Sequence, residues 1–242
     1  MPRFFLSAIR QSPVIEGPDA RHIVKALRMR PGDALTVCDM QGTDYHCEIL
    51  SADPERVELR ILERAPTASE PRVSVTLFQC LPKGDKLDTV VQKAVELGVA
   101  RVVPVLSSRC VSRPDNKSME KKVERWGKIA REAAGQSGRG VLPTVESALS
   151  FQEMTARLPS FDLSLFFYEA GGEPLSALIP EGPAPQTAAL VIGPEGGFSP
   201  EEAAAATAAG ARTATLGPRI LRTETAPIAA LTAVMLLTGN LE

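Results

Sequence analysis

The chain has 242 residues, 44% of them hydrophobic and 23% charged, so it can bury one large core or two smaller ones. Its formal net charge of −2 argues against a protein that binds nucleic acid through overall charge alone. The longest apolar run, Ala226 to Leu237, is shorter than the roughly 20 residues that span a bilayer. Neither the four scattered cysteines nor the first ten residues indicate a disulfide framework or a signal peptide. We therefore predict a soluble cytoplasmic protein without a membrane partner.

The charge is unevenly distributed along the chain. Residues 1–72 carry a net charge of −1, residues 83–140 carry +6, and residues 141–242 carry −7. A basic segment within an acidic chain is either a solvated helix face or a surface that meets phosphate groups, and the charges alone leave both open.

The N-terminal part of the chain alternates hydrophobic and polar side chains with the period of two that is typical of β-strands. Leu35 and Val37 share one face, and the same alternation recurs in residues 45–49 and in Val57–Ile61. Segments rich in Gly, Asp and Pro supply the turns. We predict a small antiparallel sheet or barrel with one short helix around Ala20–Leu27.

A polar linker with two prolines, Arg64–Pro71, separates a predicted domain of residues 1–70 from a second one of residues 73–242. From Val73 onwards, continuous apolar strands alternate with helices, which predicts an α/β domain with a mostly parallel sheet. The predicted strands cover residues 73–81, 101–106, 163–168, 188–192 and 213–216. The predicted helices cover residues 86–97, 118–134, 199–209 and 226–238.

The glycine-rich segment from Gly193 to Gly197 lies between a predicted strand and a predicted helix capped by Ser199. Three glycines and a proline form a tight loop whose backbone can approach a ligand closely. Loops at the carboxyl ends of parallel strands are where such sheets bind ligands. Taken only as a glycine-rich segment, it is equally compatible with an ordinary turn between strand and helix.

A second segment, Leu216–Ala226, also lies between a strand and a helix, and it concentrates two arginines, one glutamate and two threonines. One interpretation is a helix cap, with Thr223 or Thr225 capping and Glu224 near the positive helix end. The two arginines would then pair only with surface acids. The density of polar groups favours a functional role instead.

The segments GPEGGF (residues 193–198) and LGPRILRTETA (residues 216–226) together resemble the C-terminal signature of the RsmE family, within the SPOUT methyltransferases. The N-terminal PRFF, His22, LRM and PGD are similar to the family's PUA-like domain, so the resemblance covers nearly the whole chain. It is thinnest between Leu149 and Thr187. Further matching segments are Lys83–Lys86, Gln92–Val99, Arg109 with Cys110, and Gln136–Arg139 with Pro143.

The resemblance implies a SPOUT-type trefoil-knotted α/β methyltransferase domain preceded by a small PUA-like, RNA-binding β-barrel domain. It implies an S-adenosylmethionine pocket formed by the two glycine-containing segments, and a homodimer with the pocket near the two-fold axis. Backbone groups of the loops would bind the adenine, and the leucines and isoleucine would form apolar walls. The expected cofactor-binding residues are Gly193, Pro194, Glu195, Gly196, Gly197, Leu216, Gly217, Ile220, Leu221 and Thr225.

The implied reaction is methylation of N3 of uridine 1498, in the decoding region of 16S rRNA, on the assembled 30S subunit. Because N3 carries a proton at neutral pH, the reaction needs a general base or a cation that stabilises the uridine anion. Arg222 or Arg219 is the candidate for stabilising the anion, and Glu224 for orienting the acceptor or removing the proton. Glu195 is the alternative carboxylate.

The expected RNA contacts combine the N-terminal domain with the basic middle segment. Phe4 and Phe5 are either a stacking platform for a base or part of the core. We predict no metal site. A zinc site formed by Cys38, His46 and Cys47 is rejected, because the adjacent residues His46 and Cys47 face opposite sides of a strand. The RNA-binding candidates are Arg3, His22, Arg28, Lys83, Arg109 and Arg139, with Arg10, Arg21, Lys25, Arg30, Lys86 and Arg113 as further cations.

Two alternatives stand beside this interpretation. One is a non-catalytic RNA-binding or ribosome-assembly factor that keeps the fold. Loss of the glycines or of the Arg222–Thr225 segment would have supported this alternative, but all of these residues are present. The other is a SPOUT methyltransferase that acts on a different RNA.

Overall fold

The computed structural model describes residues 1–179 and 182–241, which form two compact units. The first unit comprises Met1–Glu70 together with Ala134–Leu142, and the second comprises Pro71–Ala133 together with Pro143–Glu242. The sequence pattern gave no sign that the short segment Ala134–Leu142 packs with the N-terminal unit.

The first unit is built on a five-stranded sheet with the strand order β1-β3-β4-β5-β2. Its ladders are antiparallel except for the parallel pair β1 and β3. A short helix continues directly into a π-helical turn over His22–Ala26, which together confirm the predicted helical segment. The elements are β1 (Arg3–Phe5), β2 (Val14–Glu16), α1 (Pro18–Arg21), β3 (Ala34–Cys38), β4 (Thr43–Asp53) and β5 (Arg56–Pro66).

The hydrophobic positions that the period of two singled out in the first unit are buried, except for Ile61. Leu35, Val37, Val57 and Leu59 are buried in one hydrophobic core, as the period of two predicts. Ile61 is instead 37% exposed, although it pairs with Cys47 in the same register as Leu59 with Ile49, and the ladder becomes irregular directly after this pair. The linker prediction was also wrong at its start, since β5 continues through Pro66.

The second unit contains an eight-stranded, entirely parallel sheet with α-helices along the chain between its strands. This confirms the predicted α/β architecture with a parallel sheet. Its strands are β6 (Ser74–Cys80), β7 (Arg101–Leu106), β8 (Thr144–Val145), β9 (Leu149–Ser150), β10 (Leu163–Phe167), β11 (Glu173–Pro174), β12 (Thr187–Ile192) and β13 (Arg212–Thr215). Its helices are α2 (Lys86–Glu96), α3 (Asn116–Gln136), α4 (Phe151–Arg157), α5 (Leu175–Leu178), α6 (Pro200–Ala208) and α7 (Ala226–Leu237).

The order of the strands decides where a ligand can bind. The sheet runs β11-β13-β10-β12-β6-β7-β8, with β9 also paired to β7. Since all these strands are parallel, the carboxyl ends of β13, β10, β12 and β6 lie side by side at one edge. Both segments that the sequence singled out leave the sheet at that edge.

Helix ends follow local chemistry where a cap is present. Ser199 caps the start of α6, as predicted, and together with Glu202 it forms the reciprocal side-chain and backbone hydrogen bonds of a capping box. Gly135, predicted to end a helix, lies inside α3, which ends at Gln136. Within the described residues, no helix combines the length and apolar character needed to cross a membrane.

Candidate active site

A cavity of about 890 Å³ opens at the carboxyl edge of the second unit's sheet. This volume lies in the range of small-molecule sites. Three loops surround it: Tyr168–Gly171 after β10, the first pocket loop (Gly193–Phe198) after β12, and the second pocket loop (Leu216–Thr225) after β13. The cavity is therefore a product of the strand order, which brings these loops together.

The first pocket loop is held by two charged side chains from elsewhere in the chain. The amide of Phe198 donates to Oε1 of Glu169 at 3.2 Å, and Nη1 of Arg109 donates to the carbonyl of Gly196 at 3.0 Å. Gly197 has φ of 65°, and a Cβ there would collide with the carboxylate of Glu169. The left-handed backbone favours glycine at this position, and a larger residue would displace the Glu169 carboxylate from the loop.

The second pocket loop is tied to the first by a buried hydroxyl. Oγ1 of Thr223 donates to the carbonyl of Gly193 at 2.7 Å, and Thr223 is only 5% exposed. Thr225 occupies the N-cap position of α7 but makes no side-chain capping bond. The helix-cap interpretation of this segment is therefore wrong, because Thr223 joins the two loops and does not cap the helix.

An ammonium group links a carboxylate from each pocket loop. Nζ of Lys86 lies 2.8 Å from Oε1 of Glu195 and 3.3 Å from Oε2 of Glu224. Partial burial acts to raise the pKa of Glu195, but the hydrogen bonds from Lys86 and from the Lys83 amide outweigh it and lower that pKa. The hydrogen bond to Glu195 in turn raises the pKa of Lys86. Glu195 is thus held as a carboxylate and is a weak base.

Arg219 and Arg222 both line the cavity and are exposed. Among the described residues, neither guanidinium forms an ion pair or a hydrogen bond. Two unpaired cations at the wall of a concave site create a positive potential where an anionic group can be bound.

The predicted cofactor-binding residues converge on this cavity. The residues from Gly193 to Gly197 line it, and so do Leu216, Gly217, Ile220 and Leu221. Thr225 lies outside the described lining, as does Glu224, which reaches the site only through Lys86.

Two of the predicted RNA-binding arginines point into the first unit. Arg139 is only 3% exposed, and its guanidinium makes two hydrogen bonds of 2.9 Å to the carboxylate of Glu70. Arg3 is bonded through both terminal nitrogens to Asp44, at 2.6 and 2.7 Å. Both side chains form ion pairs inside the first unit. We therefore remove Arg3 and Arg139 from the predicted RNA contacts.

The other RNA-binding candidates are at the surface of their respective units. His22 and Arg28 are exposed in the first unit, and Lys83 is exposed in the second. Arg109 is half-exposed, but its guanidinium is engaged with Gly196. Phe4 and Phe5 are 6% and 8% exposed, which resolves their alternative in favour of the core.

Two residues around the cavity escaped the sequence analysis. The carboxylate of Glu169 accepts a hydrogen bond from the first pocket loop, and the side chain of Gln79 donates to both Thr223 and Gly193. A signal for each was present: Gln79 is a polar residue inside an otherwise apolar strand, and Glu169 follows directly after one. Among the described residues, no group of three metal-ligating side chains is found.

Comparisons with known proteins agree with this geometry. Residues 69–235 match a family model described as an RNA methyltransferase domain, and residues 15–62 match an RNA methyltransferase PUA domain. The chain is 37% identical to ribosomal RNA small subunit methyltransferase E of Bacillus subtilis, over 97% of this chain and 96% of the relative. The protein of the same name from Mycobacterium bovis is 34% identical over 94% of this chain and 87% of its own.

A solved structure shares the fold. It is a ribosomal RNA small subunit methyltransferase E from Neisseria gonorrhoeae bound to S-adenosyl methionine, with a TM-score of 0.87 and 33% identity. The match covers 98% of both chains. With this fold, a pocket between two glycine-containing loops and relatives that align along nearly their full lengths, the chain belongs to the family of ribosomal RNA small subunit methyltransferase E.

Proposed function

We propose that this protein transfers the methyl group of S-adenosylmethionine to N3 of uridine 1498 of 16S rRNA, on the assembled 30S subunit. The observation that carries the proposal is the cavity between the two pocket loops, with unpaired Arg219 and Arg222 at its wall. The proposal places the protein in the cytoplasm, where ribosomal subunits are found.

The residues around the cavity fit S-adenosylmethionine. The volume of about 890 Å³ accommodates a nucleoside with an amino-acid tail. Leu216, Leu221 and Ile192 offer apolar surface, and the loop backbones offer amide and carbonyl groups for a base edge. At Gly193 a Cβ would lie 3.1 Å from the ring of Phe198, so a larger residue there would require the ring to shift by a few tenths of an ångström.

The bound cofactor supplies an electrophilic methyl group on a sulfonium, and the chain's own residues must prepare the acceptor. N3 of uridine becomes nucleophilic when its proton leaves and the negative charge spreads onto the O2 and O4 atoms. A guanidinium aimed at that charge stabilises it in a water-poor site. The exposed, unpaired Arg222 suits this role, with Arg219 beside it.

Glu224 is assigned a role that differs from that of the two arginines. Its carboxylate is ion-paired with Lys86 at 3.3 Å, and Lys86 also holds Glu195 of the first pocket loop, so the carboxylate serves to tie the two loops together. We therefore assign Glu224 the role of orienting the second pocket loop, which leaves transfer of the N3 proton to water assisted by the arginines.

Surface cations complete the proposed RNA contacts in each unit. In the first unit, Lys25, Arg28 and Arg30 are exposed around and after the π-helical turn. In the second unit, Lys83 is exposed at the start of the segment that leads to α2. Phosphate contacts of this kind position an RNA without reading its sequence.

The test supplies the purified protein with radiolabelled S-adenosylmethionine and 30S subunits that lack the modification, followed by nucleoside mass spectrometry of the rRNA. We expect label in N3-methyluridine, and RNase digestion of the same rRNA to oligonucleotides should place it in the fragment that contains position 1498. A different methylated nucleoside, or transfer only to another RNA, would overturn the choice of acceptor. Cofactor binding without any transfer would favour the non-catalytic assembly factor. Sedimentation of the same preparation tests the predicted homodimer.

A further inference from the structure

Gln79 is a fully buried polar side chain at the carboxyl end of β6, directly below the pocket loops in the second unit. Its Nε2 donates to the carbonyl of Cys80 at 3.0 Å, to Oγ1 of Thr223 at 3.2 Å and to the carbonyl of Gly193 at 3.4 Å. One amide group therefore contacts its own strand and both pocket loops.

These contacts form a closed triangle of hydrogen bonds, which we call the Gln79 bridge: the Gln79 amide, the Thr223 hydroxyl and the Gly193 carbonyl. Thr223 accepts from Gln79 and donates to Gly193 at 2.7 Å, so its hydroxyl is used in both directions. Because Thr223 stands between Arg222 and Glu224, the bridge sets the position of both neighbouring side chains relative to the first loop.

The buried amide is unfavourable for folding taken alone. Oε1 of Gln79 is buried and receives no hydrogen bond from any described residue. A buried acceptor without a donor destabilises a protein, whereas an apolar side chain of similar size would fill the same space without that penalty. The neighbours Phe78 and Cys80 show that this stretch of β6 is otherwise apolar. The amide thus contributes chiefly through the two loops that it joins.

We propose that Gln79 is a positioning residue for cofactor binding: it fixes the spacing of the two pocket loops and so shapes the site for S-adenosylmethionine. This inference rests on the proposed function, since it assigns the cavity to that ligand. Preorganised hydrogen bonds of this kind lower the conformational freedom that a ligand must otherwise remove on binding.

The test measures the dissociation constant of S-adenosylmethionine by calorimetry, without RNA, in the variants Gln79→Leu, Thr223→Val and Thr223→Ser. Gln92→Leu, at an exposed glutamine of α2, is the matched control. We expect about a tenfold weaker Kd for Gln79→Leu and for Thr223→Val, because each removes a buried hydrogen bond between loops. Thr223→Ser should recover most of the affinity that Thr223→Val loses.

Thermal unfolding separates positioning from a merely structural role. Gln79→Leu removes the unpaired acceptor Oε1 together with the buried hydrogen bonds that Nε2 donates, and because these two effects on stability oppose one another, the midpoint should change little while the Kd rises. The double variant Gln79→Leu/Thr223→Val should weaken the Kd by clearly less than the product of the single effects, since both act on one bridge.

Three results would overturn the inference: an unchanged Kd in Gln79→Leu, an unfolding midpoint in that variant so low that the protein is partly unfolded at the temperature of the binding measurement, or fully multiplicative single effects. Because the Kd is measured without RNA, a wrong rRNA target would overturn only the proposed acceptor and leave this result standing. A wild-type protein that does not bind S-adenosylmethionine would overturn both.

Discussion

The arginines of the two units show how the same residue type serves opposite purposes. In the first unit, Arg139 and Arg3 are 3% and 14% exposed and are bonded to the carboxylates of Glu70 and Asp44. In the second unit, Arg219 and Arg222 are exposed and have no partner among the described residues. Whether an arginine can bind a ligand depends on the carboxylate next to it, and the residue type alone does not tell.

The largest effect is expected from removing an unpaired arginine. Arg222→Ala should lower turnover on 30S subunits by about a thousandfold, as removal of one preorganised donor at a developing anion typically does. The Kd for S-adenosylmethionine should stay nearly unchanged, since the guanidinium acts on the acceptor. Arg157→Ala, at a surface arginine paired with Glu146, is the control. A loss confined to cofactor binding would contradict the role assigned to Arg222.

Removing a paired arginine should affect folding and not chemistry. Arg139→Met leaves the carboxylate of Glu70 without its cation and should lower the free energy of unfolding by about 3 kcal/mol, measured by urea denaturation. Backbone amides of Gly140 and Val141 still donate to Glu70, which limits the loss. An unchanged unfolding free energy together with weakened RNA binding would restore Arg139 as an RNA contact.

The same pair predicts a dependence on pH. Burial acts to raise the pKa of Glu70, but hydrogen bonding to Arg139 outweighs it, so the pKa of this carboxyl in the folded protein lies below its ordinary value. The stabilisation is present above the unfolded pKa and is lost as the pH falls through the folded one. Between neutral pH and strongly acidic pH, the wild type should therefore lose more unfolding free energy than Arg139→Met does.

A smaller effect is expected at Lys86, whose ammonium is paired but partly exposed. Lys86→Met removes the link between Glu195 and Glu224 and leaves two carboxylates facing one another across the pocket loops. Turnover should fall about tenfold, with the Kd of the cofactor changed less, since solvent screens the ion pairs of the partly exposed ammonium. Lys93→Met, on the same helix and paired with Glu96, is the control. Equal losses in both variants would contradict the role of Lys86.

The smallest effect is expected at a single exposed cation of the first unit. Arg28→Ala should raise the KM for 30S subunits about threefold and reduce the salt dependence of binding by roughly one phosphate contact. Arg60→Ala, at an arginine of the same unit that is paired with Glu48, should not change the salt dependence. If both variants behave alike, exposure and pairing do not separate RNA-binding arginines from the others.

Much of the fold was predictable because it depends on neighbours in the chain. Continuous apolar runs predicted the main strands of the second unit, and the capping residues Ser199 and Glu202 predicted the start of α6. The two pocket loops were recognisable since their glycines, arginines and threonines are consecutive. Local rules failed at Ile61, which is exposed despite the alternation, and at Gly135, which lies one residue before the end of α3.

The sequence by itself therefore determined the longer strands and helices of the second unit, their succession along the chain and the two loops that form the pocket, whereas the short elements β8, β9, β11, α4 and α5 were not predicted. Only the tertiary structure decided which charges are free, since Arg139 meets Glu70 across 69 positions and Arg3 meets Asp44 across 41. Only it revealed Gln79, which reaches Thr223 across 144 positions. Hydrogen bonds and ion pairs act over a few ångströms whatever the separation along the chain, so a polar residue's partner, and with it the residue's role, is set by the fold.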